Sequence, residues 1–207
     1  TDTNGISRYE YQIDYGEFVS VGLDTSFDAV VSTTGVHLVY VRAVDEPGNK
    51  GILNNVSIYY DSTSPNTPII REWHCGNSWT KHNTAYLSWL DPGDEGSGIT
   101  NFKINIDGAE TDLGYNLSRH TSNLTTGNHT FKVKSYDALN HVSDWSNSLI
   151  VFVDTTNPGI TDITSPTHPN NTSWYRINTP VFNLTPPTDH SGISGYYYLI
   201  DRTENTI

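Results

Sequence analysis

"DEGSGITNFKINID" (residues 94–107) is written in nearly the same letters at two other places, "DTNGISRYEYQID" (2–14) and "DHSGISGYYYLID" (189–201). Aligning the three puts Gly5-Ile6, Gly98-Ile99 and Gly192-Ile193 in register, at spacings of 93 and 94 residues. Other stretches keep that period. "TTGVHLVYVRAVDEPGN" from Thr33 matches "TTGNHTFKVKSYDALN" from Thr125, "DSTSP" (61–65) matches "DTTNP" (154–158), and "SWTKHNTAYLSWLDP" from Ser78 matches "SWYRINTPVFNLTPP" from Ser173. A period this long is the size of a whole small domain and exceeds the repeats of solenoids.

Each copy reads as strands. Alternation sets Tyr9, Tyr11 and Ile13 on one face, with Phe102, Ile104, Ile106 and then Tyr196, Tyr198, Ile200 at matching positions. The later strand repeats the pattern with His37, Val39, Val41 and Ala43, and with His129, Phe131, Val133 and Ser135. No helical period is sustained, and Gly, Pro, Asn and Asp separate short strands at regular spacing, which argues for an all-β sandwich. The 207 residues are 35% hydrophobic and 12% aromatic, enough for packed cores. Only 16% are charged, as in turn-rich β proteins.

The net charge of −12 argues against nucleic acid and anionic membranes, because phosphate binding needs a basic surface. No apolar run approaches a membrane span. The single cysteine, Cys75, cannot form an internal disulfide, so the folded parts rely on their cores.

The run "LSWLDPGDEGSGITNFKINID", followed by "LTTGNHTFKVKSYDALNHVSDWS", resembles the fibronectin type III and immunoglobulin-like repeats of bacterial and archaeal surface proteins, and "WYRINTPVFNLTPPTDHSGISGYYYLID" is similar to the same repeats. The resemblance spans almost the whole chain and implies fold more than function. In that pattern Trp89 takes the early-strand tryptophan position and Leu184 replaces it in the third copy. His37 and His129 stand where fibronectin type III domains usually carry a tyrosine, a departure at the hydroxyl corner bond. The expected organisation is tandem sandwiches with a repeat of about 93 residues: 1–64 lacking its early strands, 65–158 complete, and 159–207 a truncated third copy. Its open ends call for completion by a longer polypeptide or by another copy of the chain.

Asp2, Glu95 and Asp189 each precede the recurring glycine by three residues, where a carboxylate can accept backbone N–H bonds and fix the turn into the strand. Gly5, Gly98 and Gly192 suit a position needing positive φ. "DEPGN" and "DALN" are the corresponding turns after the later strand.

What recurs serves the shared fold, so His37 and His129 are read as packing residues. His74, Cys75 and His82 lie close in sequence but lack the paired spacing of a zinc site. No nucleophile elbow, phosphate loop or paired-carboxylate motif is present, so no catalytic residue and no enzyme activity are expected. No cofactor is required. Calcium is the one ion the acids suit: Asp61 is expected near Asp91, Asp94 and Asp137, and Asp154 near Asp189, giving hard oxygen ligands at the repeat junctions.

Seven glycosylation sequons stand at Asn55, Asn116, Asn123, Asn128, Asn170, Asn171 and Asn183, which fits an exterior surface. On the outward face of the opening strand, Glu10, Gln12, Lys103 and Asn105 give way to Tyr197 and Leu199 in the third copy, an apolar patch suited to a neighbouring domain, partner or sugar ring. The reading is a non-catalytic structural spacer of an extracellular prokaryotic surface protein, filament or coat, supporting adhesion or assembly. Its partners are neighbouring repeats or other copies of itself. The alternative is a carbohydrate- or partner-binding accessory module that uses Trp73, Trp174, Tyr175 and Tyr197 against surface glycans.

Overall fold

The computed structural model describes residues 5–72 and 78–200. Among them the chain is all-β, with fourteen strands and no helix, and therefore no helix long and apolar enough to cross a membrane. It forms two compact units, Thr1–Ile70 with Trp89–Ser118 and Phe131–Ser148, and Arg71–Ser88 with Arg119–Thr130 and Leu149–Ile207.

The first unit holds β1 (Ile6–Ile13), β2 (Val19–Gly22), β3 (Gly35–Asp45) and β4 (Asn54–Tyr60) in one antiparallel sheet of order β2-β1-β3-β4. Tyr11 lies opposite Val41 and Ile13 opposite Val39, which aligns the apolar alternation of the two long strands. At the edge, β4 pairs along its whole length with β3, from Asn54 opposite Val41 to Tyr60 opposite Gly35.

The other strands are β5 (Arg71–Glu72), β6 (Trp79–Thr80), β7 (Ala85–Ser88), β8 (Ile99–Ile106), β9 (Ala109–Asp112), β10 (Ser118–Thr121), β11 (Gly127–Asp137), β12 (Leu149–Val153), β13 (Asp162–Thr164) and β14 (Asn183–Thr185). They form a five-stranded sheet of order β6-β12-β11-β8-β9, a three-stranded sheet β10-β7-β5 and the pair β13-β14. Between β8 and β11, Ile104 faces Val133 and Ile106 faces Phe131. Phe102, Ile104, Phe131 and Val133 have no exposed surface, and the Trp89 ring tilts against Phe102 at 5.8 Å. Burying each such side chain contributes roughly 1.5–3 kcal/mol.

In the second unit, Ala85 and Leu87 of β7 and Val151 and Val153 of β12 are buried. β12 runs parallel to β6, with Phe152 beside Trp79. β13 and β14 set Ile163 opposite Leu184, and both side chains stay exposed. The alternation at Tyr196, Tyr198 and Ile200 predicts a core strand; residues 193–200 pair with no strand among those described, and all three side chains are exposed. Alternation specifies two faces, but a ladder exists only where a partner strand supplies the other half of each hydrogen bond.

The recurring glycines adopt φ of 78°, 81° and 84° at Gly5, Gly98 and Gly192, the left-handed region that turns the chain into its strand. The turn carboxylate of the middle copy is Asp94 rather than Glu95: Asp94 Oδ2 accepts the N–H groups of Gly96 and Gly98 at 3.0 and 2.8 Å. Asp45 and Asp137 close the later turns, accepting from Asn49 N at 2.6 Å and His141 N at 2.8 Å respectively.

The histidines do more than pack. His37 and His129 are both buried, and each places Nε2 against the carbonyl four residues upstream, Thr33 at 2.7 Å and Thr125 at 2.8 Å. That is the bond a corner tyrosine makes with its hydroxyl. On the outward face Glu10 is also buried, clamped between Arg8 and Arg42 at 2.8 Å, and the Arg42 guanidinium lies 3.5 Å from the centre of the Phe18 ring. Hydrogen bonds from Arg42 and then Arg8 hold its carboxyl below the ordinary glutamate value.

Candidate functional site

In the first unit the residues that converge are Asp61, which follows β4, Asp137 at the end of β11, and His141 in the turn beyond it. Each offers a ligand atom within 4.8 Å of the other two. Asp61 is held by short-range geometry: Oδ1 accepts from the N–H and hydroxyl of Thr63, both at 3.0 Å, and Oδ2 accepts from Ser97 N at 2.7 Å. Gly96 makes this fit possible, because a Cβ there would sit 2.1 Å from the Asp61 carboxyl carbon. Bonds from the Ser97 side chain, then from the Thr63 and Ser97 backbone, hold the Asp61 carboxyl well below the usual carboxylate range.

Asp137 has no exposed side-chain surface. Its Oδ1 accepts from Leu139 N and His141 N, at 2.9 and 2.8 Å, and its Oδ2 meets His141 Nδ1 at 2.7 Å. In the neutral ring that bond places the proton on Nδ1 and leaves the lone pair on Nε2, as at histidines that bind metals. Two carboxylates and an imidazole form a mixed oxygen–nitrogen donor set, which suits zinc better than calcium, a cation that takes oxygen ligands.

Asp91 and Asp94 stand outside this group of three. Asp91 accepts from Gly93 N at 2.8 Å and from the Tyr115 hydroxyl, and Asp94 is turned to its own loop. In the second unit Asp154 repeats the Asp61 arrangement: Oδ1 takes the N–H and hydroxyl of Thr156 at 3.1 and 2.6 Å, and Oδ2 takes Ser191 N at 3.0 Å. The same Ser191 N–H lies 3.1 Å from Asp189 Oδ1, so Asp154 and Asp189 share one donor. Hydrogen bonds from the Thr156 and Ser191 side chains hold the Asp154 carboxyl well below its ordinary value. Asp94 Oδ1 and Asp189 Oδ2 are sealed from solvent with no protein hydrogen-bond partner.

Tyr197 and Leu199 are exposed, as are the seven sequon asparagines, Asn55, Asn116, Asn123, Asn128, Asn170, Asn171 and Asn183. Trp174 is fully exposed, whereas Tyr175 packs edge-on against His168 with ring centres 4.7 Å apart. Trp73, His74 and Cys75 lie outside the described residues. His141 is the member that the sequence reading missed. Its signal is local: it stands four residues after Asp137 where Asn49 stands four after Asp45, and Asn49 Nδ2 makes the matching bond to Asp45 Oδ2 at 2.8 Å.

Against this geometry, the chain matches solved structures of low identity. It is similar to fibronectin(III)-like modules. Those of Clostridium thermocellum CbhA are 17% identical over 74% of this chain and 80% of theirs, with a TM-score of 0.33. The spore cortex lytic enzyme SleM of Clostridium perfringens is 10% identical over 42% of this chain, with a TM-score of 0.34, and the chain spans 28% of that enzyme's length. No protein-family model matches the chain. No curated protein sequence matches it either. An enzyme standing among the similar structures corrects the expectation that the chain is not an enzyme, and a lack of activity is not carried forward.

Proposed function

We propose that the chain is a tandem array of immunoglobulin-like or fibronectin type III-like β-sandwiches serving as an extracellular spacer in a prokaryotic surface protein, filament or coat. The recurrence of one junction supports this reading most directly: Asp61, Thr63 and Ser97 make the bonds that Asp154, Thr156 and Ser191 make one period later. A residue leaving one repeat is thereby tied to the turn that opens the next, and the proline after each "DSTS" or "DTTN" limits bending there. Stretching residues 1–207 between two handles tests the role. A spacer gives discrete cooperative rupture steps; smooth extension without resistance overturns the reading.

A divalent cation at Asp61, Asp137 and His141 belongs to the same proposal, stiffening the junction. Melting with chelator, with millimolar calcium and with zinc checks it, since an ion bound only to the folded chain raises the midpoint. No shift with either metal ends it. Full exposure of Trp174 and Tyr197 favours a second reading, a carbohydrate-binding surface. Glycan-array binding that is lost in Trp174→Ala and Tyr197→Ala is the result that supports it.

A further inference from the structure

His37 sits at the start of β3 with both ring nitrogens engaged. Nε2 lies 2.7 Å from the Thr33 carbonyl oxygen, which can only accept, so Nε2 bears a proton. Nδ1 lies 2.8 Å from Asp14 Oδ2, a carboxylate oxygen that also only accepts while ionised. The same carboxylate is fixed from its other side, because Asp14 Oδ1 accepts from Leu38 N at 2.8 Å and Asp14 N donates to Leu38 O at 2.8 Å. Asp14 holds this place at a φ of 51°, a left-handed backbone that an aspartate tolerates better than most residues. A neutral imidazole has one N–H and must turn a lone pair toward one of the two oxygens; an imidazolium satisfies both.

We propose that His37 is an imidazolium at neutral pH and acts as a proton latch joining three backbone segments: the turn after β1, the loop before β3 and β3 itself. The charged group facing it from the β1 side is Asp14. On the other side β4 has no charged residue, and the position opposite His37 is Ile58. The latch therefore depends on one proton and one carboxylate. The Asp14 bond, followed by the Thr33 carbonyl, raises the affinity of His37 for its proton against the opposing effect of burial, and the His37 bond lowers that of Asp14. The sign follows from linkage. The histidine contribution is full below its unfolded pKa of about 6.5 and is lost as pH rises through the higher folded value, while the aspartate contribution is lost as pH falls below about 3.9 toward its lowered one. Between those limits the corner is closed, and alkali opens it.

Imidazole 15N resonances of residues 1–207, followed from pH 6 to 10, test this, with His37→Gln used to assign the signal. The expected result is a His37 ring with both nitrogens protonated at pH 7 and a midpoint that returns toward about 6.5 in Asp14→Asn. A His37 ring that is already neutral at pH 7 overturns the proposal, and so does an unchanged midpoint in Asp14→Asn. In thermal melts, the fall in midpoint between pH 6.5 and 9.5 is expected to shrink in His37→Gln, and identical slopes count against the latch. The resonance titration uses the native chain, and Asp14→Asn also identifies the His37 ring as the one whose midpoint moves, so the matter is decided even if His37→Gln does not fold.

Discussion

On β8 and β11 the alternating apolar residues Phe102, Ile104, Phe131 and Val133 are sealed completely, whereas on β1 and β3 only Val39 of the matching residues is buried and Tyr9, Tyr11 and Val41 remain half-exposed. Both pairs of strands have the same register and nearly the same letters. The difference lies in what lies over them. Phe102 has two rings against it, Trp89 and Tyr115, each at 5.8 Å, while Tyr11 stacks at 4.5 Å on Phe27. Beside that ring a groove of about 290 Å³ stays open, lined by Tyr9, Val21, Asp24, Thr25, Phe27 and Val41. A period-2 pattern selects the face to be buried; the depth of burial is set by the element that covers it.

That comparison breaks most directly on paired truncations. Phe102→Ala is expected to cost about 3–5 kcal/mol in denaturant unfolding, as a fully packed aromatic does. Tyr11→Ala should cost about 1 kcal/mol, in the range of partly exposed sites. Equal losses would show that the two faces are packed alike.

The junctions offer a second contrast. Gly96→Val drives a side chain into the Asp61 carboxyl and should lose about 1–3 kcal/mol. At the matching place one period later the chain already carries His190, which is exposed, and His190→Ala should stay within about 0.5 kcal/mol.

Acid unfolding probes the same aspartates. Because the carboxyls of Asp61 and Asp154 are held low, their contribution is present above an unfolded pKa of about 3.9 and is lost as pH falls through the folded value. Asp61→Asn turns an amide N–H toward either Thr63 or Ser97, which both donate, so it should lower stability at pH 7 and flatten the acid limb. A variant with the wild-type acid limb would remove Asp61 from that account. The smallest effect belongs to Leu199→Ser, 70% exposed, which should leave the unfolding midpoint within about 0.5 kcal/mol of wild type.

The strand faces of the first two copies, the positive-φ glycines and the turn aspartates Asp45 and Asp137 were legible in the letters, because each rests on local chemistry repeated one period apart. Glu95 was misread for a local reason as well. "DEGSG" offers two adjacent acids, and only Asp94 lies far enough back to reach the N–H groups of both Gly96 and Gly98. Val44 escaped because it sits off the alternating face yet is fully buried, near a break in register between Ile6 and Arg8 that a strict period of two cannot express. At the site, the acids were visible and their partners were not. The Ser97 N–H comes from a turn whose approach to Asp61 depends on the packed fold, and the ring of His37 reads as apolar filler until its two acceptors are in view; His141 alone had a local signal, its place four residues after Asp137.

The edge strand β4 has a practical consequence for anyone handling the protein. The opposite edge, β2, is four residues long and pairs across a shift in register between Tyr9 and Glu10, both features that discourage a further strand from adding. By contrast β4 spans seven residues without a lysine, a proline or any charge, and it carries exposed Val56 and Tyr59. Such an edge is a template for the next molecule, so concentrated samples should begin to aggregate there, and Tyr59→Lys is a change that blunts it while leaving the Asn55 sequon intact. Asn55 lies on the same edge within its sequon. A glycan attached there would act as a steric guard, so material produced with and without glycosylation should differ in shelf life before it differs in fold.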